Sequence, residues 1–314
     1  MSKNFTLVTG AAGFIGSSLT RELLIRGRSV VALDCFLPNL YPAEVKRSRW
    51  NRLDGRNLVK IEFDMRFDDF SILREYNIDS VFNEAAMPGL NQNWSQFAPY
   101  YDCNLSALNR LLEYTKSLQI NSFVQASTSS VYGLVANGNE DQKLEPMSPY
   151  GVSKLAAEKL LTSYYKWFGL PVKILRYFSV YGPNQRPDMA FAKIIDAIVS
   201  GKEFVIHGDG EQKRSNTFIN DVVSATLLSE SLAPAGSIIN VCGQETITLN
   251  QAIEHIEFFA GAKLKKSRGP ARIGDQIQTS GSNQLAMKIL GWKAQTNFEE
   301  GLRQQVVEHV SRKL

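Results

Sequence analysis

The sequence predicts an α/β protein built on a doubly wound parallel sheet. Three observations carry that prediction: apolar strand-like runs alternate with amphipathic stretches, a glycine turn joins the first run to the first helical pattern, and the texture changes after about residue 180. Strands are expected at Phe5–Val8, Ser29–Leu33, Leu58–Ile61, Ser80–Phe82, Ser122–Ala126 and Val172–Leu175. Helical stretches near 14–26, 96–118 and 150–168 separate several of them. Such alternation sets strands parallel, because each return passes through a helix that covers one face of the sheet. Beyond 180, turn signals such as "YGPNQRP" and "HGDGEQ" become frequent and helical segments shorten. The expected division is 1–180 for the sheet domain and 181–314 for a smaller C-terminal α/β lobe, with a soft, interleaved boundary.

A chain of 314 residues exceeds the usual single-domain size, which fits two coupled lobes. Hydrophobic content of 44% with 21% charged residues is that of an ordinary soluble globule. No apolar run reaches the roughly eighteen residues that a bilayer span needs, so no membrane partner is expected. Met1 to Asn4 pass straight into a strand-like run, and no signal peptide is expected. Three widely spaced cysteines, Cys35, Cys103 and Cys242, argue for a reducing compartment, and the expected location is cytoplasmic. A net charge of +4 is too small to imply nucleic acid but suits a substrate carrying phosphates. His207, His255 and His309 have no Cys, His or Asp at ligand spacing, so no metal is expected. The chain lacks a G-x-S-x-G elbow, which leaves a serine hydrolase without support.

The first strand runs into "TGAAGFIG", residues 9–16. Gly10 and Gly13 allow a tight turn and close approach of backbone to a pyrophosphate. Gly16 lets the helix pack near the sheet with its N-terminal amides facing the anion. The second strand ends at Asp34, 18 residues after Gly16, where a carboxylate accepts both ribose hydroxyls of NAD and repels the extra phosphate of NADP. The following basic cluster, Lys46, Arg47 and Arg49, reads first as a solvated helix face. Asp64, in "DMR" after the third strand, reads either as a neighbour of the adenine amino group or as a strand-end cap.

"ASTSSVYG", residues 126–133, sets four consecutive hydroxyls at the end of the fifth strand, where open α/β sheets place ligands. Alone it reads as a polar loop. Beyond it, "SPYGVSK" spaces Tyr150 and Lys154 four apart on a helix that Ser148 can cap, so the two share a face. A phenol with a pKa of about 10 is a poor base at neutral pH. An adjacent ammonium and a positive nicotinamide ring both favour the phenolate, and Thr128 can bridge it to a substrate hydroxyl. Together these groups make a hydride-transfer constellation.

The combination resembles the extended short-chain dehydrogenase/reductase superfamily, and within it the NAD-dependent nucleotide-sugar epimerases, over essentially the full chain. The matching pieces are "TGAAGFIG", Asp34, "NEAA", "ASTSSVYG", "YGVSK", "RYFSVYGP", "RPDMAF" and "GDGEQKR". The resemblance implies a Rossmann-type sheet with a C-terminal substrate-binding lobe, and Tyr150, Lys154 and Thr128 as catalytic residues. It also implies NAD held by Gly10, Gly13, Phe14, Ile15, Gly16, Asp34, Asp64, Met65 and Ala85 together with Tyr150 and Lys154.

Nucleotide-sugar members share an opening step in which hydride leaves C4 of the sugar for NAD, giving a 4-keto intermediate. The 4,6-dehydratases resemble T-D-E-V-Y-G and the decarboxylases T-S-E-V-Y-G, whereas Thr128, Ser129 and Ser130 here bring no carboxyl group. The simplest outcome is then rotation of the keto-sugar and return of hydride to its opposite face, a 4-epimerisation. "DCFLPNLY" with "KRSR", and "RPDMA", look like the corresponding segments of UDP-glucuronate 4-epimerases. Arg186 offers a planar fork for the uronate carboxylate, with Ser179, Ser129 and Ser130 adding donors; its plainer reading is a loop anchor. Holding that carboxylate out of line with the C4 carbonyl would suppress loss of CO₂ from the β-keto acid.

Some positions depart from the pattern. Asn83 stands where His is common, Asn91 where Arg is common, and "RSNTF" replaces R-D-F-T-F. By resemblance Arg214 and Arg272 are diphosphate ligands, with Gly274 and Asp275 near the ribose. The leading expectation is conversion of UDP-glucuronate to UDP-galacturonate. A 4-epimerase of a neutral UDP-hexose or UDP-N-acetylhexosamine is the alternative, and a non-catalytic NAD-sensing protein the second. Related enzymes pair through two helices, so a homodimer through 96–118 and 150–168 is expected.

Overall fold

The computed structural model describes residues 3–38, 40–89, 94–271 and 276–312. Seven parallel strands make the central sheet: β1 Asn4–Thr9, β2 Val30–Asp34, β3 Leu58–Glu62, β4 Asn77–Asn83, β5 Ser122–Thr128, β6 Val172–Tyr177 and β7 Ile238–Val241. Their spatial order is β7-β6-β5-β4-β1-β2-β3. The chain winds one way from β1 to β3 and the other way from β4 onward. The loops after β1 and β4 therefore diverge and open a crevice at the carboxyl ends of the strands. The first six strands overlap the predicted runs; β7 was not predicted and comes from beyond residue 181.

The strands read as apolar runs because helices cover both faces. On one face the helix Phe14–Ile25 buries Leu19 and Leu23 beside Val222, Ala225 and Leu227 of the helix Ile219–Leu232. On the other, Leu108, Leu111 and Leu112 of Ala107–Lys116 pack with Ala157 and Leu161 of Pro149–Phe168. This is the doubly wound α/β fold.

The helix Pro149–Phe168 starts where the local chemistry dictates. The Ser148 hydroxyl accepts the Gly151 N–H at 3.1 Å, Pro149 occupies the first turn, and Gly169 ends the helix at φ 69°. The stretch predicted over 96–118 is interrupted: Ala98–Tyr101 and Ala107–Lys116 flank a wider π-type turn over Asp102–Ser106. The interruption turns Asn104 inward. Its side chain accepts the Met87 N–H at 2.7 Å and donates to the Met87 carbonyl and the Ser153 hydroxyl, pinning the segment after β4 to the long helix.

A small four-stranded sheet joins Val135–Ala136 of the first half to Gln278–Thr279, Lys213–Ser215 and Thr246–Thr248 of the second, where Glu203–His207 also pairs with Lys265–Gly269. Among the described residues no helix is long and apolar enough to cross a membrane.

Candidate active site

The glycine turn is dictated by the chain's own contacts. Gly10 sits at φ 66°, and a Cβ there would lie 2.8 Å from the Ala85 nitrogen. A Cβ on Gly16 would lie 2.2 Å from the Gly10 carbonyl oxygen. The turn thus folds tightly against β4 and the first helix, leaving the helix's first amides at the crevice. At the end of β2, the buried Asp34 carboxylate accepts the N–H groups of Ala12 at 3.0 Å and Phe36 at 2.8 Å. A carboxylate has roughly four acceptor positions, so two remain for a ribose diol.

Gly10, Gly13, Phe14, Ile15, Gly16, Asp34, Asp64, Met65, Ala85, Tyr150 and Lys154 line one cleft of about 220 Å³. Asp64 lies in its wall, but Arg66 engages both carboxylate oxygens at 2.6 and 2.9 Å. Burial opposes the Asp64 charge, and the Arg66 hydrogen bonds outweigh it and hold the carboxyl below its usual range. The solvated-face reading of the basic cluster holds for Arg47, which pairs with Glu62, and fails for Arg49. Arg49 is 4% exposed and donates to the Asn184 carbonyl at 2.8 Å, because the helix Ala43–Asn51 turns that residue toward the second lobe.

Thr128, Ser129, Ser130, Ser179, Arg186 and Arg214 line a second cavity of about 410 Å³. Arg272, Gly274, Asp275 and Asn91 lie outside the described residues. Tyr150, Tyr177 and Arg186 border both cavities, so a group in one reaches a group in the other across the Tyr150 hydroxyl. Thr128 ends β5 in extended conformation and accepts the Ser130 N–H at 3.1 Å, which starts the tight turn Ser129–Tyr132 and bunches the hydroxyls. A buried charged pair fixes this end of the sheet. Glu158 holds Arg176 at 2.7 and 3.0 Å, the Ser127 hydroxyl donates to Glu158, and Arg176 reaches the Tyr132 hydroxyl at 2.8 Å.

Burial pushes the Tyr150 hydroxyl up to about 12, against the opposing pull of the Arg186 cation and the Thr128 hydrogen bond. Lys154 donates to the Ala126 carbonyl at 2.6 Å, and burial pushes its ammonium down to about 8. An ammonium at about 8 keeps most of its proton at neutral pH, so Lys154 and Arg186 both bring positive charge to this end of the site. Arg186 in turn donates its Nε to Asp188 at 3.0 Å and its Nη2 at 2.6 Å, so its fork anchors the loop while the side chain borders the site.

Several residues at the site escaped the sequence reading. Glu84, inside the quoted "NEAA", lines the cofactor cleft; a charged residue ending an apolar run was the available signal. Asp188 lies inside the quoted "RPDMA", two residues from its partner Arg186, whereas Asn104 carried no signal, since its partners are set by the fold. Asn83 accepts the Thr9 hydroxyl and donates to Gln125 at 2.8 Å, which links β1, β4 and β5 beneath the crevice.

Comparison with known proteins places this geometry. The description "NAD dependent epimerase/dehydratase family" matches residues 6–242. A Bacillus subtilis protein named uncharacterized UDP-glucose epimerase YtcB is 37% identical over 305 residues, covering 96% of each chain. The UDP-glucuronate 4-epimerase of Thermodesulfobacterium geofontis is 36% identical over 310 residues, covering 96% of this chain and 95% of its own. The UDP-glucuronic acid 4-epimerase of Bacillus cereus, solved with UDP-glucuronic acid and NAD, superposes with a TM-score of 0.93. It is 34% identical, with 99% of this chain and 100% of that chain covered.

Proposed function

The chain belongs to the NAD dependent epimerase/dehydratase family, and from that premise we propose that it is an NAD-dependent UDP-glucuronate 4-epimerase, forming UDP-galacturonate. The observation that carries the reading is Tyr150, standing where the dinucleotide cleft meets a cavity whose Thr128-Ser129-Ser130 run holds no carboxyl group. Bound NAD supplies the acceptor that takes hydride from sugar C4 and gives it back.

The chain's own residues do the rest. Tyr150 removes the C4 hydroxyl proton, relayed through Thr128, and returns it after the keto-sugar has turned over. Arg186 and Lys154 favour negative charge on Tyr150 by their fields, and Lys154, anchored to the Ala126 carbonyl, also holds the dinucleotide at the Tyr150 end of the cleft. Gly10, Gly13 and Gly16 bring the helix amides to the pyrophosphate, while Asp34 takes the adenosine ribose and Asp64, Met65 and Ala85 wall the adenine side. Ser129, Ser130, Ser179 and Arg186 orient the sugar, with Arg214 and Arg272 on the diphosphate. Ser129 and Ser130 bring no acid/base pair of the kind that removes a C5 proton and expels a C6 hydroxyl, which favours return of hydride over elimination.

We assign the dinucleotide to 1–180 and most of the sugar nucleotide to 181–314, with an interleaved boundary. The enzyme acts in the cytoplasm as a homodimer through the helices around 98–116 and 149–168, where Tyr101, Trp167 and Phe168 are exposed apolar side chains. Incubation with UDP-glucuronate and NAD, followed by anion-exchange separation, should yield UDP-galacturonate; no conversion would refute the reading. A neutral UDP-hexose is the second reading, favoured by one observation, the engagement of Arg186 by Asp188. Equal or faster turnover of UDP-glucose would establish it.

A further inference from the structure

Glu84 follows the last residue of β4 and lines the cofactor cleft beyond Gly10, on the side of Tyr150 and Lys154. Its carboxyl contacts the Tyr177 hydroxyl at 2.9 Å; Tyr177 contacts the Thr226 hydroxyl at 2.8 Å; Thr226 donates to the Val222 carbonyl at 2.7 Å. The last group in this line is a carbonyl and can only accept. With Thr226 giving its proton to Val222 and accepting from Tyr177, Tyr177 has none left for Glu84. All three contacts are satisfied together only when the Glu84 carboxyl carries a proton and donates it to Tyr177. If Glu84 is ionised, Tyr177 turns its O–H toward the carboxylate, and either the Tyr177–Thr226 or the Thr226–Val222 contact is left without a proton.

The line thus has two hydrogen-bonded arrangements that differ by one proton and the swing of one hydroxyl. Burial places the carboxyl at about 7, with Tyr177 and Lys154 pulling it down, so neither arrangement dominates by a wide margin. The titratable groups facing Glu84 are Tyr177 from β6 and Tyr150 and Lys154 from the helix Pro149–Phe168. The glycine turn opposite brings none.

We propose that Glu84 is a proton-releasing partner of the cofactor: its carboxyl carries a proton in a large share of the unliganded molecules and gives that proton to solvent when the oxidised, cationic form of the dinucleotide binds. This inference rests on the NAD reading of the cleft. The glycine turn takes the pyrophosphate and Asp34 the adenosine, so the opposite end, beside Tyr150 and Glu84, receives the positively charged ring. A positive charge there favours the carboxylate. The step balances as one O–H bond broken at Glu84 and one proton gained by buffer, with no electron moved. By reciprocity, oxidised dinucleotide binds more tightly as pH rises through the neutral range, whereas the uncharged ring of the reduced form gains no such preference.

The test is calorimetric titration of the full-length protein with NAD and with NADH, at about pH 6.5 in buffers of differing ionisation enthalpy, which reads protons released per ligand bound. The expected result is release of a substantial fraction of a proton with NAD, little with NADH, and loss of most of the NAD-linked release in Glu84→Gln, whose amide still donates to Tyr177. Lys154 can also release a proton, and a release that persists in full in Glu84→Gln would assign it to Lys154. Should Glu84→Gln fold poorly, infrared difference spectra of the unaltered protein must show a protonated carboxyl band that disappears when NAD is added. Binding of NAD with no proton release, equal release in Glu84→Gln, or no bleached carboxyl band would each overturn the proposal while leaving the epimerase reading intact. Absence of NAD binding would overturn both.

Discussion

Arg186 is the cation whose field opposes the burial of the Tyr150 hydroxyl, while Asp188 grips that guanidinium from the other side. The phenol sits between a cost of burial and a charge that lowers it. Burial wins, and the hydroxyl stands at about 12. Activity that requires the phenolate should therefore rise with pH across the neutral range.

Removing the cation should make the base harder to ionise. In Arg186→Leu the rising limb of kcat/KM against pH should move upward by about one unit or more, whereas Arg186→Lys should move it less. An unmoved limb in Arg186→Leu would place the charge that matters elsewhere. The same variant tests the carboxylate grip, since a uronate freed to align with its C4 carbonyl should lose CO₂ and release a UDP-pentose.

Tyr150→Phe should lower kcat by about 10²- to 10⁴-fold, with NAD binding changed only a few-fold. The phenyl ring keeps the packing, and only the proton-transfer atom is gone. Stopped-time product assays and dinucleotide titration separate the two effects.

Asp34 has a structural duty besides its expected ribose contact. Asp34→Ser should narrow the preference for NAD over NADP, read as the ratio of the two binding constants. It should also cost about 1–3 kcal/mol of stability, because the Ala12 and Phe36 N–H groups lose their acceptor; denaturant unfolding measures that.

Glu158→Ala would leave Arg176 buried without its carboxylate, both side chains being 3% exposed. The expected loss is about 3–5 kcal/mol by denaturant unfolding. Replacing both residues by Leu and Met should cost less than the single change, since no lone charge remains.

Gly16→Ala should abolish dinucleotide binding out of proportion to its size. The added methyl would meet the Gly10 carbonyl at 2.2 Å, so the turn itself must move. A binding isotherm indistinguishable from the parent would show that the turn can relax.

The sequence by itself determined the local features of the protein: six of the central strands, the turn at Gly10–Gly16, the Ser148-capped start of the helix bearing Tyr150 and Lys154, and the absence of carboxyl groups at Ser129 and Ser130. Those follow from spacing and residue type, which act over a few positions. Tertiary structure decided what depends on distant partners. It brought β7 back to the sheet from beyond residue 181, turned Arg49 inward, and set Tyr177 between Glu84, 93 positions before it, and Thr226, 49 positions after it. Burial, which fixes the charge of Tyr150, Lys154 and Glu84, arises only when separate elements close around a side chain, and no short stretch of sequence encodes it.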